Sequence, residues 1–381
     1  MLDYTIIFWI NVLSLFFLIY IYVGYVLLLK FIALFVKRKS HTHSSFSLPS
    51  VTVLLTVYNE KDKILSRIKN ILSCNYPHKQ LQILVASDGS TDGTDDIVSN
   101  FSFQDSRIKL YRPSERKGKS ETQNDAISKC LGEIVVFTDA DTKFDRKFLK
   151  EIVFVFQNER IGVVDGRLIF INSDGNHVSK NQSLYWSLEL QMRKLESHFG
   201  FLAVASGACL AIRKKLFRPM PANVGEDCII PLDVIEQGYK VSHAEKAIAF
   251  DIMENDLESI FSSRVRMTLR NWQGTWAYAK LLNPFSFPKV AFSLWSHKIL
   301  RWLSPMFLLI WLASSFTLFT YDFKSYITYP AFVFIILGIA GFTGFRFVGA
   351  SFIFSFCLAN LGFAIGIFKA IMGKKITFYR E

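Results

Sequence analysis

Apolar residues are concentrated at the two ends of the chain, whereas the middle alternates between short apolar runs and polar segments. The first apolar stretch extends from about Tyr4 to Val36 and contains few polar residues. A stretch of this length can cross a bilayer as a helix. It is too long for the core of a signal peptide, and it lacks a small-residue cleavage site. The pattern therefore predicts an N-terminal transmembrane helix within residues 1–39.

Three further apolar segments lie near the C-terminus, at about Leu303–Phe319, Ile327–Phe345 and Phe347–Phe368. They predict about three transmembrane segments within residues 301–368, followed by a basic tail over residues 369–381. Counting the crossings puts this tail outside the cell, whereas its positive charge favours the inside. The conflict leaves open that one segment is re-entrant or interfacial.

The basic run Lys37-Arg38-Lys39 directly follows the first apolar stretch. Because Lys and Arg favour the cytoplasmic side of a membrane, this run predicts an outside N-terminus. The domain that follows the polar linker 40–49 is then cytoplasmic. We expect a multi-pass protein of the cell membrane.

Strand and helix patterns alternate in the middle of the chain. A β-branched run predicts a strand at Val51–Val57, and apolar segments predict strands at Leu81–Ala86 and Ile134–Phe137. Arg107–Tyr111 is predicted to be a further short strand. Amphipathic segments between them predict helices at Lys61–Ser73 and Ser120–Cys130. This alternation is typical of βαβ units in a mostly parallel sheet. We expect an α/β domain over residues 50–255.

Two more helices are predicted further along the chain. The first covers Gln182–Ser197, within the mixed segment Ile161–Asp251. The second, Asp256–Trp276, carries several arginine and tryptophan residues. We expect residues 256–300 to form amphipathic helices at the membrane interface.

Composition fits one domain with membrane segments. The chain has 381 residues, a formal net charge of +12 and 51% apolar residues, including 37 Phe. Basic residues beside membrane segments explain the charge by attraction to anionic headgroups or diphosphates. No nucleic-acid-binding motif stands out, so no nucleic-acid partner is expected. The five cysteines contain no Cys-x-x-Cys pair, which favours free thiols.

Two carboxylates, Asp139 and Asp141, follow the predicted strand Ile134–Phe137. Ligands of open α/β sheets bind at the carboxyl ends of the strands. Carboxylate oxygens are hard ligands that suit a divalent cation, Mg²⁺ or Mn²⁺. For this pair taken alone, a solvated turn is the alternative.

Polar loops also close the first two predicted strands, at Tyr58-Asn59-Glu60 and Asp88–Gly93. Together they suit a nucleotide pocket, in which Asp88 would accept hydrogen bonds from the base or ribose. The alternative is that these residues only cap turns and helices. In Lys117–Ser120, the lysines and the backbone N–H groups at a helix start favour a phosphate anion, with a solvated basic turn as the alternative.

Further candidates lie in the second half of the chain. Either carboxylate of Glu226-Asp227 could take a proton from an acceptor hydroxyl, although acidic residues are favoured at any exposed helix start. Arg266 and Arg270 share a helix face and could neutralise a diphosphate. Trp272 could stack on a sugar ring. An interfacial helix would use the same residue types to contact phospholipid headgroups.

Taken in order, these motifs resemble those of a membrane-anchored family 2 glycosyltransferase with the GT-A fold, which is a Rossmann-like nucleotide-binding fold. The resemblance covers about residues 50–275. The matching segments are Val57–Glu60, Ser87–Asp92, Lys117–Lys119, Asp139–Asp141, Ser206–Ala208 and Glu226–Glu245.

The resemblance implies how the nucleotide sugar would be bound. Asp88 would contact the base or ribose, and Tyr58 and Glu60 would belong to the same pocket. Lys119 and Asp139 would contact the nucleotide diphosphate.

The resemblance also implies roles in metal binding and catalysis. Asp141, with Asp139, would bind the metal that bridges the diphosphate. Asp227 would be the general base, next to Glu226. Gly207 would line the acceptor site.

One segment departs from the family pattern. Processive members usually carry Gln-x-x-Arg-Trp, but here Met267 stands at the Gln position and Asn271 separates Arg270 from Trp272. Processive polymerisation and single transfer therefore both stay open.

The function implied by the resemblance is inverting, metal-dependent transfer of a sugar from a nucleotide-diphosphate donor, with UDP-sugars favoured. The acceptor would be a membrane-associated lipid-linked molecule or a polysaccharide. Two alternatives remain. One is a nucleotidyltransferase, and the other is a non-catalytic assembly or export subunit on a glycosyltransferase scaffold.

Overall fold

The computed structural model describes residues 3–36, 47–171, 177–252, 256–322, 325–345 and 347–376. Three regions with predictions lie outside the described residues. These are the basic run Lys37-Arg38-Lys39, the linker as far as residue 46, and the end of the basic tail from residue 377.

One mixed sheet of eight strands organises the described part of the central domain. The strands are β1 Val51–Val57, β2 Leu81–Ser87, β3 Ile108–Tyr111, β4 Ile134–Thr138, β5 Lys143–Phe144, β6 Ile161–Phe170, β7 Leu210–Arg213 and β8 Lys240–Asp251. Their order across the sheet is β3-β2-β1-β4-β7-β6-β8-β5.

The helices lie on both sides of this sheet and at both ends of the chain. They are α1 Tyr4–Ile19, α2 Tyr25–Ala33, α3 Lys61–Leu72, α4 Thr94–Gln104, α5 Lys119–Ala126, α6 Phe148–Phe154, α7 His177–Phe199, α8 Glu226–Glu236, α9 Leu257–Ala277, α10 Pro288–Ser293, α11 Leu300–Trp302, α12 Ser304–Tyr321, α13 Tyr329–Phe342 and α14 Val348–Ile371.

The sheet is parallel from β1 to β4, as predicted, but it is mixed further along. β7 runs antiparallel to both β4 and β6. Between β6 and β7 the chain forms α7, which packs against β8, α2 and α14. The chain then returns to the sheet as β7, between β4 and β6. The expectation of a mostly parallel sheet therefore holds only for the half of the sheet formed by β1 to β4.

The middle strands are buried on both faces. Val53 and Leu55 of β1 pack into one apolar core, and Leu54 between them packs into the other. Because side chains alternate along a strand, a strand covered on both sides must be apolar throughout. This burial explains why β1 and β4 are rich in β-branched and other apolar residues, and the buried Thr52 of β1 is satisfied by a hydrogen bond to Gln82.

Three helices within the described residues are long and apolar enough to cross a membrane. They are Tyr4–Ala33, in which a π-helical segment Tyr20–Gly24 joins α1 to α2, together with α12 and α14. α1 and α12 run antiparallel, with Phe17 stacked on Phe307 at a ring distance of 4.9 Å. The middle one of the three predicted C-terminal segments forms a shorter apolar helix, Tyr326–Phe342.

The last long apolar helix, α14, packs closely against α9. A Cβ atom at Gly362 would lie 2.7 Å from Arg264 Cγ, and one at Gly366 would lie 2.6 Å from Thr268 Cβ. Small residues at such a spacing let two helices approach closely. Beyond α14, the carbonyl of Lys374 accepts a hydrogen bond from Gln273. The described start of the basic tail therefore lies beside the central domain.

A buried group of charged side chains joins α7 to α2 and to the segment that precedes α12. The His297 ring lies between Glu189, at 2.9 Å, and Glu196, at 3.0 Å. The hydroxyl of Tyr25 donates to Glu196 at 2.7 Å. These bonds fix α7 against α2 and the segment that precedes α12, so the central domain is held in one orientation relative to those helices.

Candidate active site

A cleft of about 740 Å³ opens at the carboxyl ends of β1, β2 and β4, with α9 as its opposite wall. A cleft of this size suits a small-molecule substrate. Every predicted site residue except Trp272 lines it: Tyr58, Glu60, Asp88, Lys119, Asp139, Asp141, Gly207, Glu226, Asp227, Arg266 and Arg270.

Trp272 is directed away from the cleft. Its ring packs against Trp276 at 5.6 Å and Trp302 at 6.0 Å. Position 272 is about 200° around the helix from Arg270, which explains why both cannot face the same cleft. Trp272 therefore joins α9 to α11 and does not line the cleft, and its stacking on a sugar ring stays a prediction.

Lys119 joins the two acidic segments of the cleft. Its Nζ lies 2.7 Å from Asp139 Oδ1 and 2.7 Å from Glu226 Oε1. Asp139 follows β4, whereas Glu226 begins α8, so the lysine ties a strand end to a helix start. As the first residue of α5, Lys119 also occupies the helix terminus that was predicted to bind phosphate.

Arg67, which the sequence analysis missed, supports the loop that carries Asp139. Its Nε donates to the carbonyl of Asp139 at 3.1 Å and its Nη2 to Thr138 Oγ1 at 2.6 Å. The side chain is buried on the apolar face of α3, and burial lowers the pKa of Arg67 to about 10. An arginine on the inner face of an amphipathic helix was the only signal in the sequence.

Asp88 is buried and fixes the loop in front of α5. Its carboxylate accepts hydrogen bonds from the backbone N–H groups of Lys117 and Gly118, at 2.8 and 3.0 Å, and from Thr122 Oγ1 at 2.8 Å. Gly118 adopts a φ of 89°, which favours glycine. The described contacts of Asp88 thus position Lys119, and a direct contact with the nucleotide stays a prediction.

Tyr58 lies beneath a guanidinium at the other side of the cleft. The Arg116 Cζ atom is 3.7 Å from the centre of the Tyr58 ring, and both residues line the cleft. The turn after Tyr58 is held by Asn59, whose side chain accepts from the Thr91 N–H at 2.8 Å. Glu60 lies 3.3 Å from Lys63 Nζ. The two loops predicted to form one pocket are therefore bonded to each other.

Glu226 and Asp227 occupy the first turn of α8, and their pKa values are shifted in opposite directions. Burial opposes ionisation of Glu226, but the charge of Lys119 and its hydrogen bond outweigh burial and lower the pKa of Glu226. For Asp227, burial and the neighbouring charge of Glu226 raise the pKa above the usual range. A raised pKa makes Asp227 the better proton acceptor of the two near neutral pH.

Glycines on two segments allow these carboxylates to sit where they do. A Cβ atom at Gly207 would lie 2.7 Å from Glu226 Oε1. A Cβ atom at Gly225 would collide with Asp227 Oδ1. The predicted importance of Gly207 therefore has a steric basis, since any side chain there would displace Glu226.

The two arginines predicted on α9 have different surroundings. Arg270 is buried, and its Nη2 donates to the carbonyl of Val224 at 2.5 Å and to Ser120 Oγ at 3.3 Å. It therefore pins α9 to the starts of α5 and α8. Arg266 donates to Ser263 Oγ at 3.0 Å and lies along the cleft wall.

Asp251, the last residue of β8, also lines the cleft and was not predicted. Burial, together with the charges of Asp141 and Asp139, raises the pKa of Asp251 to about 7. No local motif marks this residue. It reaches the cleft only because β8 pairs with β5 and β6.

The carboxylates fit a divalent cation that is bound together with a phosphate ligand. The side chain of Asp141 is 47% exposed and lies 3.7 Å from Lys63 Nζ. In the described part of the chain, no cluster of three or more acidic, His or Cys residues is arranged to hold a metal by itself. Mg²⁺ is commonly bound by one or two carboxylates plus substrate phosphates, and Asp139 and Asp141 suit that arrangement.

Comparison with known proteins assigns this domain to a class. Residues 52–220 match the model of the family described as Glycosyl transferase family 2. A beta-monoglucosyldiacylglycerol synthase of Nostoc sp. is 29% identical over 171 residues, which cover 44% of this chain and 36% of that protein. An N-acetylglucosaminyltransferase of Rhizobium meliloti is 25% identical over 260 residues, which cover 64% of this chain and 61% of that protein.

The fold is shared over nearly the whole chain with a solved structure. This is the mannosyltransferase PcManGT from Pyrobaculum calidifontis in complex with GDP-Man and Mn²⁺. The TM-score is 0.73 at 20% identity, covering 96% of this chain and 100% of that chain. The aligned part of the chain spans less than two thirds of the length of the two sequence relatives.

These matches and the cleft define a GT-A domain with long apolar helices at both ends of the chain. Residues 52–220 belong to glycosyltransferase family 2. The predicted family and the predicted fold class are both confirmed.

Proposed function

We propose that the protein transfers a sugar, with inversion, from a nucleoside-diphosphate donor to a membrane-associated acceptor. The observation that carries this proposal is the single cleft in which Lys119 joins Asp139 to Glu226, with Asp227 next in the chain. Family membership supports the reaction class. The close packing of α9 on α14 supports an acceptor that arrives from the membrane.

The donor would occupy the end of the cleft formed by the loops after β1, β2 and β4. The base and ribose would lie near Tyr58, Glu60 and Asp88, and the diphosphate near Lys119 and Asp139. Lys119 is placed to exchange its present carboxylate partners for phosphate oxygens. UDP is the nucleotide we favour, and GDP is included in the test because the similar mannosyltransferase was solved with GDP-Man.

Asp227 would act as the general base. It would take the proton from the acceptor hydroxyl while that oxygen forms the new bond to the anomeric carbon. The bond from this carbon to the diphosphate oxygen breaks at the same time, and the nucleoside diphosphate leaves with the electron pair. A positioned base contributes roughly 10²–10⁴ in rate. Lys119 and Arg266 would stabilise the charge that develops on the leaving group.

A divalent cation, Mg²⁺ or Mn²⁺, would be held by Asp141 and Asp139. When bound, it would supply additional positive charge against the diphosphate. Two features support this proposal. The exposed carboxylate of Asp141 is accessible to a cation. The like charges of Asp141 and Asp139 beside Asp251 repel one another, and a cation would reduce that repulsion.

The central domain would lie on the cytoplasmic side of the cell membrane. An odd number of crossings, by Tyr4–Ala33, α12 and α14, would put the N-terminus outside and the basic tail inside. This arrangement satisfies the positive charge of the tail. It also agrees with the contact between Lys374 and Gln273. The short helix that contains α13 would then not cross.

The test is a donor screen on the purified protein in detergent. Nucleotide release is followed from a panel of UDP- and GDP-sugars with Mn²⁺, with Mg²⁺ and with a chelator. Metal-dependent release of UDP or GDP from one donor is the expected result. Products that retain a nucleoside monophosphate would indicate a nucleotidyltransferase instead. No release, together with no donor binding, would favour the non-catalytic scaffold.

A further inference from the structure

Arg264 occupies the boundary between the cleft and the membrane helices. It lies on α9 and lines the same cleft as Asp227. Its guanidinium carbon is 5.2 Å from the ring of Tyr185 on α7 and 5.6 Å from the ring of Phe363 on α14. An aromatic face on each of two elements holds the guanidinium in place without neutralising its charge.

The aliphatic part of the Arg264 side chain is also held by packing. A Cβ atom at Gly362 would lie 2.7 Å from Arg264 Cγ, so the side chain runs along the surface of α14. The packing of Gly366 on Thr268, one turn further along both helices, keeps α9 and α14 in register. The guanidinium is therefore preorganised at the point where a membrane helix meets the cleft wall.

Arg264 and Arg301 differ in their ion pairing. Arg301 lies 5.3 Å from the same Tyr185 ring, and it pairs with Glu189 at 3.0 Å. Among the carboxylates of the described residues, none lies within ion-pair distance of Arg264. Two guanidinium groups thus face one ring, and only one of them has an anionic partner within the described protein. The surroundings of Arg264 therefore favour the binding of an anionic ligand.

Apolar side chains also line the cleft. Phe170, Trp186, Ile252 and Met267 contribute to its wall. Ile252 is 61% exposed and Met267 is 54% exposed, so apolar surface is available to a ligand. A ligand that matches both features carries a phosphate beside a hydrocarbon chain.

We infer that Arg264 binds the phosphate group of a lipid, and that this lipid is the acceptor entering the cleft from the membrane between α7 and α9. A guanidinium fork matches phosphate geometry and keeps its charge at all accessible pH values. That the bound lipid is the acceptor rests on the proposed function, but the lipid-phosphate site itself can be tested without turnover. A phosphate of this kind can come from an acceptor lipid or from a bilayer phospholipid.

The test measures equilibrium binding of radiolabelled farnesyl phosphate and farnesol to the full chain in phosphatidylcholine nanodiscs. The two probes share a hydrocarbon and differ only in the phosphate. Arg264→Gln should weaken farnesyl phosphate binding by roughly 10- to 100-fold and leave farnesol binding unchanged. Arg264→Lys should retain part of the affinity. Arg160→Gln is the matched control, because Arg160 is exposed just before β6, at the end opposite the cleft.

Several results would overturn the inference. Unchanged farnesyl phosphate binding by Arg264→Gln would remove Arg264 from the site. Equal losses for both probes would indicate a structural effect. A matching loss of affinity for the nucleotide sugar would assign Arg264 to the donor instead. Phosphatidylglycerol that competes as well as farnesyl phosphate would assign the site to bilayer headgroups.

The proposed function can fail separately. Farnesyl phosphate binding that depends on Arg264, in a protein that releases no nucleotide from any donor, would support the lipid-phosphate site and contradict glycosyl transfer. Transfer that proceeds normally in Arg264→Gln, with an unchanged KM for the acceptor, would support glycosyl transfer and contradict the lipid-phosphate site at Arg264.

Discussion

The Nζ atom of Lys119 lies 2.7 Å from Oε1 of Glu226, a carboxylate whose side chain is only 3% exposed. The same nitrogen also reaches Asp139. One ammonium group therefore holds together the loop after β4 and the start of α8, which are far apart in the sequence. Glu226 depends on this contact, since it would otherwise be a buried charge without its ion-pair partner.

Replacing Lys119 with Met should destabilise the protein at pH 7 by about 3 kcal/mol, because breaking a buried pair leaves Glu226 uncompensated. Lys119 now lowers the pKa of Glu226, so its stabilising effect is present above the unfolded pKa of Glu and is lost as the pH falls through the folded value. The loss should therefore shrink toward pH 4. Unfolding of the detergent-solubilised variant at several pH values tests this, and a loss that grows on acidification would refute it.

Replacing Gly207 with Ala should reduce transfer at least tenfold and also lower the melting temperature. The new Cβ would lie 2.7 Å from Glu226 Oε1, so the carboxylate must move from its contact with Lys119. The measurement is kcat/KM beside a melting curve. Gly338→Ala is the control, because a Cβ there meets only Ile353, at 3.7 Å. Equal activity of both variants would show that Glu226 tolerates displacement.

The pH dependence of kcat should report the ionisation of Asp227. Burial and the charge of Glu226 raise the pKa of Asp227, and the base works only when ionised, so kcat should fall as the pH drops through this raised pKa. Glu226→Gln removes one of the two causes and should move the acid limb to lower pH. Glu121→Gln, at an exposed position on α5, should leave it in place. A limb that moves upward in Glu226→Gln would contradict the assignment.

Replacing Gly366 with Leu should impair transfer although the residue lies on α14, outside the sheet domain that carries Asp139 and Asp227. The side chain would collide with Thr268 and shift α9, which carries Arg266 and Arg270 along the cleft. Overpacking of this kind costs about 1–3 kcal/mol. Gly338→Leu brings the same gain in helix propensity without the collision, so kcat/KM of the two variants isolates the packing effect. Equal values would mean that α14 does not position α9.

Much of the fold was predictable because its signals are local. β1 and β4 are covered on both faces, so each consists mainly of β-branched and other apolar residues and ends directly before Tyr58 or Asp139. The carboxyl ends of parallel neighbours meet at one edge, which brought the predicted loops together.

Other parts of the site depend on contacts that no local pattern records. Asp251 reaches the cleft only through pairing of β8 with β5 and β6. Arg264 gains its place from the glycines of α14, nearly a hundred residues away in the sequence. Trp272 was predicted from residue type, and the helical phase of α9 directs it away from the cleft.

The measurement that tests the account most directly compares Asp227→Asn with the wild type for both donor binding and sugar transfer. Asp62→Asn is the matched control, because Asp62 also occupies the first turn of a helix but is exposed on α3. Asp227→Asn should bind the donor as the wild type does and lose transfer by at least about a hundredfold. Transfer that survives in this variant, or donor binding that is lost with it, would contradict the role of Asp227 as the base.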